Sequence, residues 1–498
     1  MIKSLIHKGP VLPNEYEYQN LIKGLSPLAE EMLVNYVSKL DDDLKIRINI
    51  SNIELFNTNF YNCLKYELSS KFVNLKFPED YKNIFQIIKE NYTKPKTKND
   101  YEEYSYAYIN SNKEKILNYM IEPPGIFIGR GECKYNGMWK YRVGSDNIIV
   151  NFIKGDNNTK LEELYFQEVQ SKFKNIISNP TVTYIDRYFI NLGKSENENK
   201  YLYRIAKEIR FSKDSTISHE ADLNKFDKAN KLIKNWNKIN NYILENINNK
   251  DKIISECAII SWLVQYTSIR IGSDKSLETN VVGASSLRTF NLDTETEGDR
   301  YFLILDFIGK DSIRYNQKFE IPMIIHSKIK EILKTKSKDD FVFSVNSTQV
   351  NQFLDKCIPG ITAKVFRTAW ACKLLLELYD KNKSKFEDKS VKYKILLLKY
   401  LLIQISNKLN HKKATKKNND TKINNLEKKI KDCNDEDKKE LYKLKINILK
   451  DSEDTNTSTA LTSYIDPRIV INICKEQDIP IDKIYTKTLL RYFNYLIN

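Results

Sequence analysis

The spacing of apolar residues predicts a mixture of helices and strands in the first part of the chain and helices after it. Residues 140–156, KYRVGSDNIIVNFIKGD, alternate apolar and polar positions and are rich in Ile and Val, which favours strands of a sheet. From residue 223 to residue 271, apolar side chains recur at helical spacing, as Leu232, Trp236 and Ile239 illustrate. This change of period predicts an α+β fold.

A hairpin is predicted near the middle of the chain. The apolar run 302–308 is followed by a Gly-Lys-Asp turn and a second run, 313–321, so the two runs are expected to pair with Lys310 at the bend. Helical patterns then resume in four places: from Ser327, from Thr348, over ITAKVFRTAWACKLLLEL (361–378) and over KYKILLLKYLLIQISNKLNH (392–411). The second half is therefore expected to be mainly helical.

A lysine-rich segment, residues 412–450, follows these helices. It carries 13 lysines against 7 acidic residues, which leaves 13 minus 7, or 6, excess positive charges. Its apolar residues form two seams at helical spacing, one of Ile423, Leu426 and Ile430 and one of Leu441, Leu444 and Ile448. The pattern predicts a protruding antiparallel helical hairpin; the alternative is a disordered charged tether.

Composition narrows the class of protein. A chain of 498 residues that is 41% hydrophobic is long enough for about two to four domains. It has no run of about 18 apolar residues, so no membrane span is expected. The N-terminal region breaks at Gly9-Pro10 before a signal-peptide core develops, and the seven cysteines include no C-x-x-C pair. We therefore expect an intracellular protein with reduced thiols.

The charge balance points to the partner. The 80 Lys and Arg exceed the 65 Asp and Glu by 15, which favours nucleic acid as a partner; the alternative is a solvated lysine-rich surface. The stretch GRGECKYNG (129–137) lacks the G-x-x-x-x-G-K-[ST] spacing, so no nucleotide site is expected. The four histidines are far apart and no acidic cluster has metal-ligand spacing, so neither a metal nor another cofactor is expected.

One tyrosine, Tyr464 in LTSYIDPRIV (461–470), is a candidate nucleophile. A phenol with a pKa of about 10 is almost un-ionised at neutral pH, so such a tyrosine needs cationic surroundings. Arg270, at the predicted end of a long helix in QYTSIRIG, and Arg367, in KVFRTAW, could bind two oxygens of a phosphodiester. Each arginine taken alone is more typical of a structural ion pair.

Two further residues could handle charge and protons. His411, at a predicted helix end, could donate to a phosphoryl oxygen. Lys310, on the hairpin turn, could protonate a leaving alkoxide as a general acid. The alternatives are an ordinary surface histidine and a solvated hairpin lysine.

In their order along the chain, Arg270, Lys310, Arg367, His411 and Tyr464 resemble the catalytic set of the eukaryotic-type DNA topoisomerases IB. The resemblance is carried by IEPPGIFIGRGECKYNGMWKYRV, LDFIGKDSIRY, ITAKVFRTAW and TSYIDPRI, and HKGPV and DIPIDKIYTKT extend it over nearly the whole chain. It implies a monomeric enzyme that relaxes positive and negative supercoils of double-stranded DNA. The link to DNA would be a 3′-phosphotyrosyl ester, formed without ATP or metal.

The resemblance also assigns the candidate residues. Tyr464 would be the nucleophile, Arg270, Arg367 and His411 would stabilise the pentacoordinate phosphorus, and Lys310 would protonate the departing 5′ oxygen. The implied fold is a bilobed DNA clamp with a tyrosine-recombinase-like catalytic domain. Its parts would be a mixed α/β cap (1–203), a catalytic core with the β-hairpin (204–411), a basic helical-hairpin linker (412–450) and a helical tail (451–498).

Five residues are expected to contact DNA or close around it. By the resemblance, Arg130 faces DNA near the break with Asp311 as its companion, and Glu278 lies on the lip that closes the ring. The lip position that often carries Lys is shifted to Lys134 or replaced by a tyrosine. Lys364 stands at the first place of the H-x-x-R motif that tyrosine recombinases carry.

The chain departs from the family in two respects. By the resemblance, it is expected to do without the long charged N-terminal extension of the cellular enzymes, and Ser463 stands where the family usually has Asn. The expected location is the nucleus, or a viral replication site or virion. A tyrosine recombinase and a catalytically silent DNA clamp are the alternative functions.

The proposed roles of Lys310 and Arg367 predict different chemical rescue. Arg367→Ala should slow DNA cleavage and religation together by roughly 10²–10³-fold, as expected for loss of one charge-stabilising donor. A 5′-bridging phosphorothiolate, whose leaving sulfur needs little protonation, should restore cleavage by Lys310→Ala but not by Arg367→Ala. Single-turnover cleavage measures both effects. Equal rescue of the two variants would remove Lys310 from the acid role.

Overall fold

The computed structural model is described for residues 2–42, 52–95, 101–129, 133–156, 159–182, 184–194, 200–272, 282–309, 314–412 and 418–497. The chain divides into two compact units, Met1–Ser218 and His219–Asn498. Both units mix helices with a sheet, so the predicted α+β class is confirmed. In the described residues no helix is long and apolar enough to cross a membrane.

Strands occur in both units. They are β1 (Leu5–Ile6), β2 (Tyr106–Ile109), β3 (Asn112–Leu117), β4 (Gly125–Ile126), β5 (Trp139–Lys140), β6 (Ile148–Asn151), β7 (Asn175–Ile177), β8 (Asp186–Lys194), β9 (Tyr201–Phe211), β10 (Leu292–Glu297), β11 (Arg300–Ile308) and β12 (Arg314–Glu320).

The helices are more numerous in the second unit. They are α1 (Pro27–Asp42), α2 (Ile53–Leu64), α3 (Ser70–Val73), α4 (Lys82–Asn91), α5 (Lys160–Lys172), α6 (Thr216–Lys234), α7 (Trp236–Asn246), α8 (Lys252–Thr267), α9 (Met323–Lys334), α10 (Ser347–Cys357), α11 (Ala363–Asn382), α12 (Val391–Lys408), α13 (Asp420–Lys431), α14 (Glu436–Asp451), α15 (Thr457–Ser463), α16 (Pro467–Glu476), α17 (Lys487–Tyr492) and α18 (Asn494–Ile497).

The first unit is built on a nine-stranded sheet. Its strand order is β1-β2-β3-β9-β8-β5-β4, and β6 pairs with both β7 and β8. The long pair β8 and β9 is antiparallel, whereas β6 and β7 run parallel. Alternate residues of β8, including Tyr188 and Ile190, are buried in one apolar cluster. A second cluster joins α1, α2 and α4 around Trp139. The predicted strands in residues 140–156 correspond to β6 and the end of β5.

The second unit contains a three-stranded antiparallel sheet, β10-β11-β12. Strands β11 and β12 pair from Phe302 opposite Glu320 to Ile308 opposite Arg314, which confirms the predicted hairpin. The bend with Lys310 lies outside the described residues. Strand β10 was not predicted, because its sequence LDTETE contains one apolar residue and its side chains are mostly solvated.

Helix α8 ends earlier than the sequence predicted. Its last residue is Thr267, and Ser268 follows with a left-handed φ of 57°. The prediction that Arg270 ends this helix was therefore wrong: Arg270 lies three residues beyond it. The Thr267 hydroxyl donates back to the Leu263 carbonyl, and the turn at Ser268 breaks the helix before Arg270 is reached.

The lysine-rich segment forms two helices that pack against each other, α13 and α14. Instead of protruding freely, α14 also packs on α12, and Leu444 joins the apolar cluster that contains Leu397 and Leu401. At the other end of α14, Lys389 pairs with Asp437 at 2.7 Å and with Glu440 at 2.9 Å. The apolar side chains of α14 that were predicted to face only α13 therefore also pack against α12.

The packing of α14 predicts a difference between two neighbouring substitutions. Leu444→Ala removes a side chain that is only 7% exposed, so the free energy of unfolding should fall by about 2–3 kcal/mol. Lys443→Ala, at an exposed position, should stay within about 0.5 kcal/mol of the wild type. Urea denaturation measures both. Equal stability of the two variants would contradict burial of Leu444 against α12.

Candidate active site

Three of the predicted catalytic residues meet around the phenol of the fourth, Tyr464. Arg270 Nη1 donates to Tyr464 Oη at 3.0 Å across 194 positions of sequence. The guanidinium carbon of Arg367 lies 5.1 Å from the centroid of the Tyr464 ring. The ring of His411 lies at the same centroid distance, 5.1 Å, with a tilt of 38°. The second unit therefore brings together Tyr464, Arg270, Arg367 and His411.

Backbone hydrogen bonds to a second segment hold Arg270 in place. Its carbonyl accepts from Ala284 N–H at 2.8 Å, and the Ile271 carbonyl accepts from Ser285 N–H at 2.7 Å. The two segments touch at Gly272, which has a φ of 77°, and at Gly283. A Cβ on Gly283 would lie 2.5 Å from Gly272 Cα and 2.8 Å from the Arg270 carbonyl oxygen, so a larger residue would displace Arg270.

Arg367 links the ends of two helices. Its side chain on α11 is buried, and Nη1 donates to the carbonyl of Ser268, just after α8. Nη2 donates to the Leu409 carbonyl, just after α12, at 3.2 Å, and lies 3.5 Å from His411 Nε2. Nε is buried without a hydrogen-bond partner in the described residues. The guanidinium is thus fixed from two sides and keeps unused donor capacity.

His411 follows a left-handed turn at the end of α12. Asn410 has a φ of 54°, and His411 N–H donates to the Ser406 carbonyl at 3.0 Å. The His411 carbonyl accepts from Asn456 N–H at 2.8 Å, which ties this turn to the segment before α15. Nδ1 is buried without a hydrogen-bond partner in the described part of the chain.

Tyr464 ends α15. Its N–H and that of Ile465 both donate to the Ala460 carbonyl, each at 2.9 Å, so the chain turns sharply at the tyrosine. The Tyr464 side chain is partly buried, whereas Ser463 is exposed. The phenol is therefore sheltered but not sealed off.

The two arginines change the acidity of the phenol. Burial raises the pKa of Tyr464, but the charges of Arg367 and Arg270 and their hydrogen bonds outweigh burial, so the net pKa lies below the ordinary 10.0. Burial also lowers the pKa of Arg367, with a smaller contribution from Arg270, yet a guanidinium stays protonated. The site therefore favours the phenolate more than water does.

His411 is a neutral ring at physiological pH. Burial and then the charges of Arg367 and Arg270 lower its pKa to about 3. Arg367 is a donor only, so Nε2 of the neutral ring, 3.5 Å from Arg367 Nη2, can face it as an acceptor. A neutral imidazole supplies one N–H donor without adding charge.

The arrangement suits an anion with several oxygens. Within the described residues, no ion pair joins Arg270 or Arg367 to a carboxylate, so both charges are open to a ligand. A phosphodiester beside Tyr464 Oη would meet two guanidiniums and a neutral histidine. The described residues contain no group of three or more His, Cys, Asp or Glu side chains that could hold a metal ion.

The remaining predicted residues are placed differently. Lys310, Asp311, Arg130 and Glu278 lie outside the described residues. Lys364 is exposed on α11, one turn before Arg367.

In the first unit, Lys134 is exposed and its ammonium lies 5.0 Å from the centroid of the Tyr135 ring. Its carbonyl accepts from the Asn59 side chain at 2.9 Å. This loop position is therefore anchored through its backbone and leaves the side chain in solvent.

Sequence reasoning missed three residues that shape the site. Ser268 supplies the carbonyl that accepts from Arg367, Cys372 donates to the Tyr464 carbonyl, and the backbone N–H of Asp466 donates to the Cys372 sulfur. For Asp466 a signal existed, since Asp followed by Pro marks the start of a helix. The contacts of Ser268 and Cys372 depend on tertiary packing that no local pattern reports.

Three family models match consecutive segments that together cover nearly all of the chain. Residues 2–204 match the family model "Eukaryotic DNA topoisomerase I, DNA binding fragment", and residues 214–444 match "Eukaryotic DNA topoisomerase I, catalytic core". Residues 420–498 match "C-terminal topoisomerase domain". The three matches together leave only a short stretch between the first two uncovered.

Similar full-length proteins carry the same description. DNA topoisomerase 1 of Homo sapiens is 28% identical over 564 residues, which cover 100% of this chain and 71% of the relative. DNA topoisomerase 1 of Chlorocebus aethiops is also 28% identical, with 100% and 70% covered. DNA topoisomerase 1 of Drosophila melanogaster is 28% identical over 548 residues, which cover 99% of this chain and 54% of the relative.

The low pKa of His411 predicts a pH dependence of stability. Its folded pKa of about 3 lies below the unfolded value of 6.5, so between these values the unfolded state binds more protons. The stability that neutral His411 contributes to the folded state is fully present above pH 6.5 and is lost progressively as the pH falls towards 3. From pH 7 to pH 5, the wild type should lose up to about 2 kcal/mol more than His411→Gln.

Urea denaturation of both proteins at the two pH values measures this difference. The comparison with the variant is needed because His7 is also buried, with a pKa lowered to about 4, and contributes in the same range. Equal losses in the two proteins would show that His411 is not held neutral.

Proposed function

This chain belongs to the eukaryotic DNA topoisomerase I family, and we propose that Tyr464 is the residue through which it breaks and rejoins one strand of DNA. The protein is a type IB DNA topoisomerase, an isomerase that relaxes supercoiled DNA. The observation that supports Tyr464 is its phenol oxygen, which accepts from Arg270 at 3.0 Å and lies beside Arg367 and His411.

In the cleavage step, Tyr464 Oη attacks the phosphorus of one phosphodiester. The phenol of the partly exposed Tyr464 loses its proton to solvent, a bond forms between Oη and phosphorus, and the bond from phosphorus to the 5′ oxygen breaks. The lowered pKa of Tyr464 assists this step because the attacking oxygen gives up its proton more readily beside two cations. The product is a 3′-phosphotyrosyl ester and a strand with a free 5′ hydroxyl.

Charge builds up on the non-bridging oxygens as the phosphorus becomes pentacoordinate. Arg270 and Arg367 would bind these oxygens, and the neutral ring of His411 would add one hydrogen bond. Because Arg367 is already fixed by the carbonyls of Ser268 and Leu409, it needs little reorganisation when the charge develops. Removal of one such donor typically costs roughly 10²–10³-fold in rate.

Religation follows the same path in reverse. The 5′ hydroxyl attacks the phosphotyrosine, and Tyr464 leaves as a phenolate that the two arginines stabilise. The phosphotyrosine conserves the energy of the broken ester, so neither ATP nor a metal is required. By resemblance to the family, Lys310 is proposed to protonate the 5′ oxygen when it departs and to deprotonate it when it returns.

The larger assembly is proposed by the same resemblance. Residues 1–203 would form the cap of a bilobed clamp around duplex DNA, 204–411 the catalytic core, 412–450 the basic linker and 451–498 the tail. DNA contacts are proposed for Arg130, Asp311, Lys134, Lys364 and Glu278. We propose that the enzyme acts as a monomer, in the nucleus or at a site of viral replication.

The alternative of a tyrosine recombinase finds no support. Two of the family models that match the chain describe segments of eukaryotic DNA topoisomerase I, and the third describes a C-terminal topoisomerase domain. A silent DNA clamp would lack a member of the catalytic set, whereas Arg270, Arg367, His411 and Tyr464 converge in the second unit.

The proposed chemistry predicts activity without cofactors. Purified protein should relax both positively and negatively supercoiled plasmid in EDTA without ATP, because the nucleophile and the charge-stabilising groups are side chains. Gel electrophoresis of the plasmid measures relaxation. Failure of folded protein to relax either substrate over a range of salt would refute the enzyme assignment.

Substitution of the nucleophile separates chemistry from binding. Tyr464→Phe removes only the attacking oxygen, so it should abolish covalent attachment to a labelled DNA strand and leave DNA affinity nearly unchanged. Denaturing gels detect the covalent product, and filter binding measures affinity. Covalent trapping of the labelled 3′ end by the Phe variant would identify another residue as the nucleophile.

A further inference from the structure

A buried carboxylate lies two residues after the nucleophile. Asp466 is 1% exposed and accepts from Arg468 N–H at 2.9 Å, so it caps the first turn of α16. Its side chain also accepts from Arg468 Nη2 at 2.8 Å and from Asn230 Nδ2 at 3.3 Å. The bond to Asn230 spans 236 positions of sequence. The capping residue of α16 therefore also fixes that helix to α6.

Arg468 extends this connection to the surface. Its Nη2 lies 2.8 Å from Asp227, which is on α6 one turn before Asn230. The side chain of Asp227 is 62% exposed, whereas that of Asp466 is 1% exposed. Both carboxylates raise the pKa of Arg468, with Asp466 the larger cause. Asp466 is thus shielded from water, whereas Asp227 is solvated.

The thiol of Cys372 contacts the backbone just after the Tyr464 Cα, at the Tyr464 carbonyl and the Asp466 N–H. Cys372 Sγ accepts from Asp466 N–H at 3.3 Å, and its S–H donates to the Tyr464 carbonyl at 3.5 Å. Burial raises the pKa of Cys372 to about 12, so the sulfur keeps its proton and can act as that donor. Cys372 is on α11, five residues after Arg367, so one helix contacts both the ring and the backbone of Tyr464.

We propose that Asp466, Arg468 and Cys372 form a positioning clasp that holds the Tyr464 oxygen at the distance from Arg270 and Arg367 that strand cleavage requires. This inference rests on the proposed function of Tyr464. None of the three residues contacts the phenol oxygen, so they are positioning residues and act through the backbone on the C-terminal side of Tyr464. A misplacement of about 1 Å can cost roughly 10²-fold in rate, so a clasp of hydrogen bonds is sufficient to matter.

The geometry explains why several contacts are needed. Tyr464 is at the end of the short helix α15, and the covalent bond to DNA would pull on its side chain. Its own helix restrains it through the Ala460 carbonyl, on the N-terminal side. On the C-terminal side, Ile465 is buried, and Asp466 joins α6, α11 and α16.

Variants at Asp466 and Cys372 test the clasp. Asp466→Asn keeps a helix-capping side chain but loses the charged pair with Arg468, and it should slow single-turnover cleavage by about 10-fold or more. Cys372→Ala loses both contacts and should also slow cleavage, whereas Cys372→Ser keeps a donor and an acceptor and should restore it. DNA affinity should be unchanged in all three. Asp227→Asn, which breaks only the solvated pair, should behave like the wild type.

A second readout does not depend on catalysis. In DNA-free protein labelled with ¹³C at the tyrosine ring, the Tyr464 signal is assigned by its loss in Tyr464→Phe, and its pKa is read from titration. The charged or titratable side chains that face the phenol in the described residues are Arg270, Arg367 and His411, and His411 is neutral. A loosened clasp should move the oxygen away from the arginines and raise this pKa.

A purely structural role would give a different result. Lower stability reduces the fraction of active protein but leaves the Tyr464 titration and the pH dependence of cleavage in place. Wild-type titration and cleavage rate in folded Asp466→Asn and Cys372→Ala would overturn the clasp. Covalent DNA adducts that persist in Tyr464→Phe would instead overturn the proposed role of Tyr464. The clasp would still be tested, because the pKa of Tyr464 in the DNA-free variants is measured without catalysis.

Discussion

The buried guanidinium of Arg367 is the interaction on which the site depends. It is 7% exposed and donates to carbonyls just beyond the C-terminal ends of α8 and α12. The C-terminal end of a helix carries partial negative charge and carbonyls without intrahelical partners, so two such ends can accommodate a cation without a carboxylate. Arg367 thereby fixes the turn before Arg270 and the turn before His411, and the side chains of Arg270 and His411 both contact Tyr464.

This choice of partners decides the chemistry that the site can perform. A carboxylate would neutralise Arg367 and compete with phosphate, whereas carbonyls hold the side chain and leave its net charge uncompensated. The same uncompensated charge lowers the pKa of Tyr464 and, together with burial, keeps His411 neutral. A phosphodiester would supply the missing negative charge, so the features that cost stability in the free protein favour binding and charge development on DNA.

Local patterns predicted the elements that bury one face. The hairpin of β11 and β12 and the helices around residues 223–271 follow from apolar spacing, because periodic burial is recorded in the sequence. The sequence pattern did not predict strand β10, because this strand is held mainly by backbone hydrogen bonds to β11. The sequence pattern did not predict the early end of α8, because that end depends on the left-handed turn at Ser268.

The site itself could be predicted only in part. No spacing rule brings Arg270 to Tyr464, which is 194 positions away, so resemblance to a family was required to connect them. Resemblance named the groups that would contact phosphate, but it gave no reason to consider Cys372 or Asp466. The bonds from Cys372 to the Tyr464 carbonyl and from Asp466 to Cys372 and Asn230 become visible only when α6, α11 and α16 are packed together.

Helix α11 carries both a group that would contact phosphate and a residue that contacts the backbone of Tyr464. It presents Arg367 to the ring of Tyr464 and Cys372 to its carbonyl, and its buried residues join both apolar clusters of the second unit. A helix is stiff over five residues, so the guanidinium and the thiol cannot move independently. The distance between the nucleophile and the charge that stabilises it is consequently set by one rigid element. Precision at the phenol oxygen therefore depends on the packing of α11 as much as on the side chains that would contact DNA.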